Sequence, residues 1–184
     1  SVVQGSVLGP VLFTIFINDI DLVLTDPLVK IFKYADDSKL GRPIRSAEDS
    51  TALQSSLDNI YEWLLKWGME IHPTKTKVLH FGYANPRHTY MLNGVKVTSD
   101  STAKDLGVII NESCKPSQHV LAIAKKANGV LAQLHRTLVS RDMDIVLKLY
   151  KVFVRPILES AVVAWFPWER QDIDVLERVQ RRAT

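Results

Sequence analysis

Residues 30–40, Lys-Ile-Phe-Lys-Tyr-Ala-Asp-Asp-Ser-Lys-Leu, constrain the fold more than any other stretch. Strand-forming residues approach, two adjacent carboxylates interrupt, and a short segment leaves. Asp is depleted in strand interiors and favoured in turns. The stretch therefore predicts a hairpin over 29–34 and 38–42, with Asp36 and Asp37 at its tip. Such a tip holds carboxylate oxygens at a rigid, exposed point. Hard cations such as Mg²⁺ take oxygen ligands of this kind and fill the rest of their shell with waters and substrate phosphates. Most Asp-Asp pairs are only solvated turn residues, so the pair gains meaning from its surroundings.

Those surroundings are specific. Tyr34-Ala35-Asp36-Asp37 resembles the tetrapeptide at the active site of reverse transcriptases. Upstream lies Val3-Gln4-Gly5-Ser6-Val7-Leu8-Gly9-Pro10-Val11-Leu12-Phe13, followed by Ile17-Asn18-Asp19-Ile20. This segment resembles the Gln-Gly loop of reverse transcriptases from non-long-terminal-repeat (LINE-type) retrotransposons. Later stretches extend the resemblance to essentially the whole chain. They are 70–82, the Leu106-Gly107-Val108 segment, 149–165 and 176–184.

The resemblance implies an α+β fold. A partial polymerase palm, an antiparallel sheet with packed helices, would occupy 1–114, and an all-helical thumb 115–184. It implies RNA-directed DNA polymerisation by two-metal nucleotidyl transfer, with Mg²⁺ as cofactor and Mn²⁺ as a substitute. Asp36 would be the direct metal ligand and Asp37 a second or outer one. Gln4, Gly5, Ser6 and Tyr34 would position nucleotide and template. Lys75 would meet the leaving pyrophosphate, in a loop where His72 replaces the family's usual Asn. Val3 stands where the family usually has Pro, and Ser160 where it commonly has Tyr. Partners would be an RNA template, a DNA primer and deoxynucleoside triphosphates. The family also needs fingers and a third carboxylate on a palm strand preceding the Gln-Gly loop. The 184-residue piece is therefore expected not to polymerise alone. An intracellular setting, the nucleus or a cytoplasmic ribonucleoprotein, goes with such an element.

Charge supports a division of labour. Net charge is +3, but residues 1–114 carry 11 Lys and Arg against 13 Asp and Glu, while 115–184 carry 12 against 7. A basic helical half suits a polyanion, through Lys125, Lys126, Arg136, Arg178, Arg181 and Arg182 on phosphates. Chance asymmetry on solvated helices would give the same numbers. A different class of function remains open: a non-catalytic remnant that binds nucleic acid, or an inert fragment of a decayed element. The single cysteine, Cys114, excludes an internal disulfide and a Cys-based zinc site. The five histidines lack metal-ligand spacing and read as surface or boundary residues. The apolar run near 7–17 is broken by Gly9-Pro10 and too short to cross a bilayer, so no membrane is expected.

Local signals place the remaining elements. Val7, Leu8, Val11, Leu12, Ile15 and Phe16 predict a buried helix over about 8–19. Asp19, Asp21, Asp26 and Pro27 predict a loop. Ser46-Ala47-Glu48-Asp49 reads as a capping box for a long helix ending near Gly68, with Trp63 and Trp67 as core residues. Residues 90–97 form a two-residue hairpin around Asn93-Gly94. Residues 104–110 read as a strand. Ser117 caps a helix to about Leu138, with Leu121, Ala124, Leu131, Leu134 and Leu138 inward. A second helix opens at Arg141-Asp142 and breaks near Pro156, another covers 156–165, and a last one 172–182.

Overall fold

Ser46 fixes where the longest helix of the first half begins. Its hydroxyl accepts the Asp49 N–H at 3.4 Å and the Asp49 carboxylate accepts the Ser46 N–H at 3.0 Å, closing the expected capping box. The helix, α2 (Ala47–Lys66), stops before Gly68, whose φ of +68° is the left-handed geometry that ends helices. The structure, a computed structural model, describes residues 5–138 and 142–183. Contacts divide the chain into two compact units, 1–100 and 101–184. Helices and short strands alternate in the first and helices dominate the second, so the fold is α+β.

In the first unit, α1 (Leu8–Phe16) runs into a 3-10 helix (Asn18–Val23). Next come β1 (Lys30–Tyr34), β2 (Asp37–Gly41) and α2, then β3 (Lys77–Leu79), β4 (Met91–Leu92), β5 (Val95–Lys96) and β6 (Thr98–Asp100). Among the described residues the strands pair two by two. β1–β2 and β4–β5 are antiparallel, and β3–β6 is parallel, with the β4–β5 hairpin inside its crossover. Asn93 and Gly94 turn β4 into β5 with φ of 50° and 71°, as the Asn-Gly pair predicts. Gln54 of α2 lies along β4. Its amide donates to the Met91 carbonyl at 2.8 Å and accepts the Met91 N–H at 2.9 Å.

The core of this unit joins Ile17 and Ile20 to Ile60, Trp63 and Leu64 of α2. Phe13, Phe16, Ile31 and Leu40 pack around them. Trp63 is thus core, as expected, while Trp67 is half-exposed and meets the Phe16 ring edge-on at 5.3 Å.

Two further expectations fail here. The helix over 8–19 ends at Phe16, and none of its residues is buried. It is apolar on nearly every side, so it would need neighbours all round, and only Phe13 and Phe16 reach the core. The loop with Asp19 and Asp21 is instead the 3-10 helix, because Ile20 drops into the core at 2 % exposure.

The second unit opens with β7 (Thr102–Asp105) and β8 (Val108–Asn111), an antiparallel pair. The single strand read over 104–110 is thus a hairpin. Leu106 and Gly107, with φ of 44° and 92°, reverse the chain. By contacts this hairpin groups with the helices that follow it. These are α3 (Ser117–Thr137), α4 (Met143–Leu149), a π-helical turn (Tyr150–Val154), α5 (Arg155–Glu159), α6 (Val162–Trp165) and α7 (Arg170–Ala183). Pro156 starts α5 rather than stopping the helix. The wider π turn before it accommodates the proline ring, which an α turn would set against the carbonyl four residues back. Asp142 caps α4, accepting the Asp144 N–H at 2.9 Å. Arg141 lies outside the described residues.

Ala124, Ala127, Leu131, Tyr150, Val154, Leu158 and Val179 form the core of this unit. Leu121, expected inward, is exposed. Ser117 does not cap α3; its hydroxyl donates to the buried Asp172 carboxylate of α7 at 2.7 Å. Two of the histidines expected at the surface or boundary, His80 and His119, are buried. Nδ1 of His119 accepts the Ile109 N–H at 3.1 Å, its ring meets Trp165 edge-on at 5.0 Å, and burial pushes its pKa down.

Candidate active site at the β1–β2 hairpin

Period-two alternation sets the character of β1. Lys30, Phe32 and Tyr34 are exposed, while Ile31 and Lys33 are half-buried on the other face. Tyr34 pairs with Asp37, leaving Ala35 and Asp36 as the two-residue turn. Asp37 is therefore the first residue of β2, and Asp36 alone stands at the tip. Ala35 adopts φ of +52°, a left-handed conformation that costs an L-residue about 1–2 kcal/mol. The tight turn imposes that strain to hold the tip.

Asp36 and Asp37 are both exposed, and neither carboxylate is hydrogen-bonded or ion-paired among the described residues. Their oxygens are open to a hard cation, and the donor chemistry fits Mg²⁺. They stand as a pair: among the described residues no three His, Cys, Asp or Glu side chains come together as a metal cluster.

The other expected site residues outside the hairpin lie on separate segments of the chain. Gln4 lies outside the described residues. Gly5 has φ of +84°, which a side chain would strain, and its Cβ position is open space. The Ser6 hydroxyl accepts the Leu8 N–H at 3.2 Å and so serves the first turn of α1. Lys75 is exposed in a turn where the His72 carbonyl accepts its N–H at 3.0 Å; its ammonium has no partner among the described residues. No hydrogen bond or ion pair among the described residues joins Gly5, Ser6 or Lys75 to Asp36 or Asp37.

In the second unit the basic residues split into two sets. Arg181 pairs with Glu177 at 2.6 Å, Arg182 donates to Asn128 at 3.0 Å, and Arg178 donates to the Asp174 carbonyl at 3.2 Å. Lys125, Lys126 and Arg136 are exposed on α3 with no such partner among the described residues.

The sequence reading passes over Lys33. Its ammonium donates to the Ile17 carbonyl at 3.4 Å, the Asn18 carbonyl at 3.3 Å and the Asp21 carboxylate at 2.6 Å. A signal was present: alternation puts residue 33 on the inward face beside Ile31, where an apolar residue is the norm.

The sequence pattern described as "Reverse transcriptase (RNA-dependent DNA polymerase)" matches residues 1–110. The chain belongs to the reverse transcriptase family. Among relatives, it is similar to the RNA-directed DNA polymerase from mobile element jockey of Drosophila funebris, at 31% identity over 86% of this chain and 18% of that protein. Two Drosophila melanogaster proteins resemble it at 26% identity. One is the probable RNA-directed DNA polymerase from transposon BS, over 98% of this chain and 21% of that protein. The other is the corresponding X-element protein, over 88% and 19%. The LINE-type assignment made from the motifs stands with these relatives. The chain spans about one fifth of the length of the curated relatives it matches. No solved structure matches it. Reverse transcriptases generally use divalent metals, the ions that the exposed carboxylate pair suits.

Proposed function

We propose that this chain is the part of a LINE-type reverse transcriptase that carries the metal-binding hairpin and the duplex grip, and that it serves RNA-directed DNA synthesis. The observation that carries the reading is the Asp36–Asp37 pair, exposed and without ion-pair partners among the described residues, at and beside a strained hairpin turn in a family of polymerases. Bound Mg²⁺ would supply Lewis-acid activation of the primer 3′-hydroxyl and stabilisation of the leaving pyrophosphate. Asp36 and Asp37 would hold it. The rigid turn keeps the Asp36 carboxylate at a fixed height above β1, so little reorganisation is needed when charge develops. Gln4 and Gly5 would let template and nucleotide approach the backbone closely, and Tyr34 would flank the primer end. Lys75, exposed on its turn, can swing toward a triphosphate and neutralise it.

Residues 1–114 would then work as part of a palm and 115–184 as a thumb. On α3, Lys125, Lys126 and Arg136 stand ready for phosphates, whereas Arg178, Arg181 and Arg182 must first exchange their internal partners. Contacts to phosphate and 2′-hydroxyl groups would recognise an RNA–DNA duplex by shape. With Asp36 at the tip and Asp37 beside it as its two carboxylates, the 184-residue chain is expected to bind metal weakly and not to polymerise alone. Two measurements test the reading. Mn²⁺ titration followed by NMR should broaden the amide resonances of 34–38, and Asp36→Ala should abolish the effect. Binding to an RNA–DNA primer–template should weaken steeply with salt. Absence of both at low salt refutes the proposal.

A further inference from the structure

We infer that Lys33 is a positioning residue, a strap that fixes the Asp36 hairpin to the helix that follows the Gly5 loop. The inference rests on the polymerase reading of Asp36 and adds a residue to it.

An ammonium has three N–H donors. Those of Lys33 meet three oxygens: the carbonyls of Ile17 and Asn18 and the Asp21 carboxylate, at 3.4, 3.3 and 2.6 Å. The Ile17 carbonyl belongs to the residue that caps the C-terminal end of α1, the negative end of the helix dipole, where a cation is favoured, and Asn18 opens the 3-10 helix. Asp21 belongs to the 3-10 helix that continues from α1. Lys33 is half-buried, with its side chain 19 % exposed; the bond to the Ile17 carbonyl is partly sheltered from water, while those to Asn18 and Asp21 are exposed.

The covalent path on each side is short. On one side, Gly5 and Ser6 lead directly into α1, and the Ser6 hydroxyl is bound into its first turn. On the other, Lys33 is followed by Tyr34, Ala35 and Asp36 within the same hairpin. The strap therefore sets the height of the carboxylate tip relative to the body of α1. The apolar contacts of Ile31 and Leu40 hold the hairpin against the core but are non-directional; Arg42, directly after β2, ties that strand's far end to Asp26 and Asp49, and β1 has its own directional tie in Lys33. Three directional bonds from this one side chain oppose sliding of β1 along the strand axis.

A charge argument separates this role from simple electrostatics. Lys33 is a cation in the same hairpin as the carboxylates. Its removal should tighten divalent-ion binding if field alone mattered. A positioning role predicts the opposite sign, because a loosened tip no longer presents its oxygens together. Loss of an outer supporting bond at a metal site weakens affinity by about 10-fold or more.

The test uses the whole chain and Mn²⁺ alone as probe. Wild type, Lys33→Met, Lys33→Arg and Asp36→Ala are titrated and followed by paramagnetic broadening at residues 34–38. The expected result is Mn²⁺ affinity about 10-fold weaker in Lys33→Met and near wild type in Lys33→Arg, with amide exchange of 34–38 faster and that of α2 unchanged. Equal or tighter Mn²⁺ binding in Lys33→Met overturns the strap. If wild type and Asp36→Ala behave alike, the polymerase reading of the tip itself fails. Should Lys33→Met not fold, Lys33→Gln makes the same measurement with a polar side chain of similar length.

Discussion

Ser117→Ala should loosen the second unit by an amount the structure allows one to work out. Asp172 is 3 % exposed, and the Ser117 hydroxyl is the donor that reaches its carboxylate, at 2.7 Å. Hydrogen bonds to a charged group contribute about 1.5–3 kcal/mol, and a buried carboxylate left short of a donor suffers that loss in full. A value of about 2 kcal/mol is reasonable, because Asp172 also lies in the first turn of α7, where backbone N–H groups and the helix dipole still favour negative charge. At 1.4 kcal/mol per tenfold, that speeds native-state amide exchange in α3 and α7 by about 30-fold. The α2 amides, in the other unit, serve as the internal reference and should not move. In an Asp172→Ala background the same Ser117→Ala change should cost almost nothing, as a double-mutant cycle requires for a direct pair. A change below threefold in the single variant, or an undiminished effect in the Asp172→Ala background, would refute the reasoning.

Other outcomes follow from the same geometry. Ala35→Gly removes the left-handed strain at φ +52° but adds backbone freedom, so thermal stability should change by less than about 1 kcal/mol while Mn²⁺-induced broadening at 34–38 weakens; Ala35→Val should destabilise the hairpin outright. Burial holds the His119 imidazole below its usual range, so the folded chain takes up that proton at lower pH than the unfolded one does. Stability of the second unit should then be level above about pH 7 and fall as pH drops through about 6.5 toward the lower folded value, and His119→Gln should flatten that slope in urea titrations. Ser46→Ala opens the capping box of α2 and should cost about 1 kcal/mol in chemical denaturation, with Ser46→Asp restoring most of it.

What the sequence made legible was local chemistry. The capping box at Ser46 and the Asn93-Gly94 turn each specify a conformation within four residues and form as expected; the turn beyond Tyr34 forms too, with Asp37 in the strand rather than at the tip. The misreadings share a cause: the deciding partner lies far away in sequence. Ser117 looks like a cap until Asp172, in another helix, claims its hydroxyl. Periodicity shows that α1 is apolar but not how many neighbours it meets, so it predicts a buried helix where none of the residues is buried. Leu106 gives no hint of a positive φ, and only the pairing of 102–105 with 108–111 reveals the turn. Lys33 escaped notice because its three acceptors sit 12 to 16 positions earlier. Even there, a lysine out of step with the alternation of β1 was a visible anomaly.

The Gln54 amide has a consequence for solubility. A short strand with free hydrogen-bonding groups is a template onto which another chain can add. By taking both the donor and the acceptor of Met91, Gln54 occupies the place an intruding strand would use. One side chain on a helix thus shields this edge from self-association.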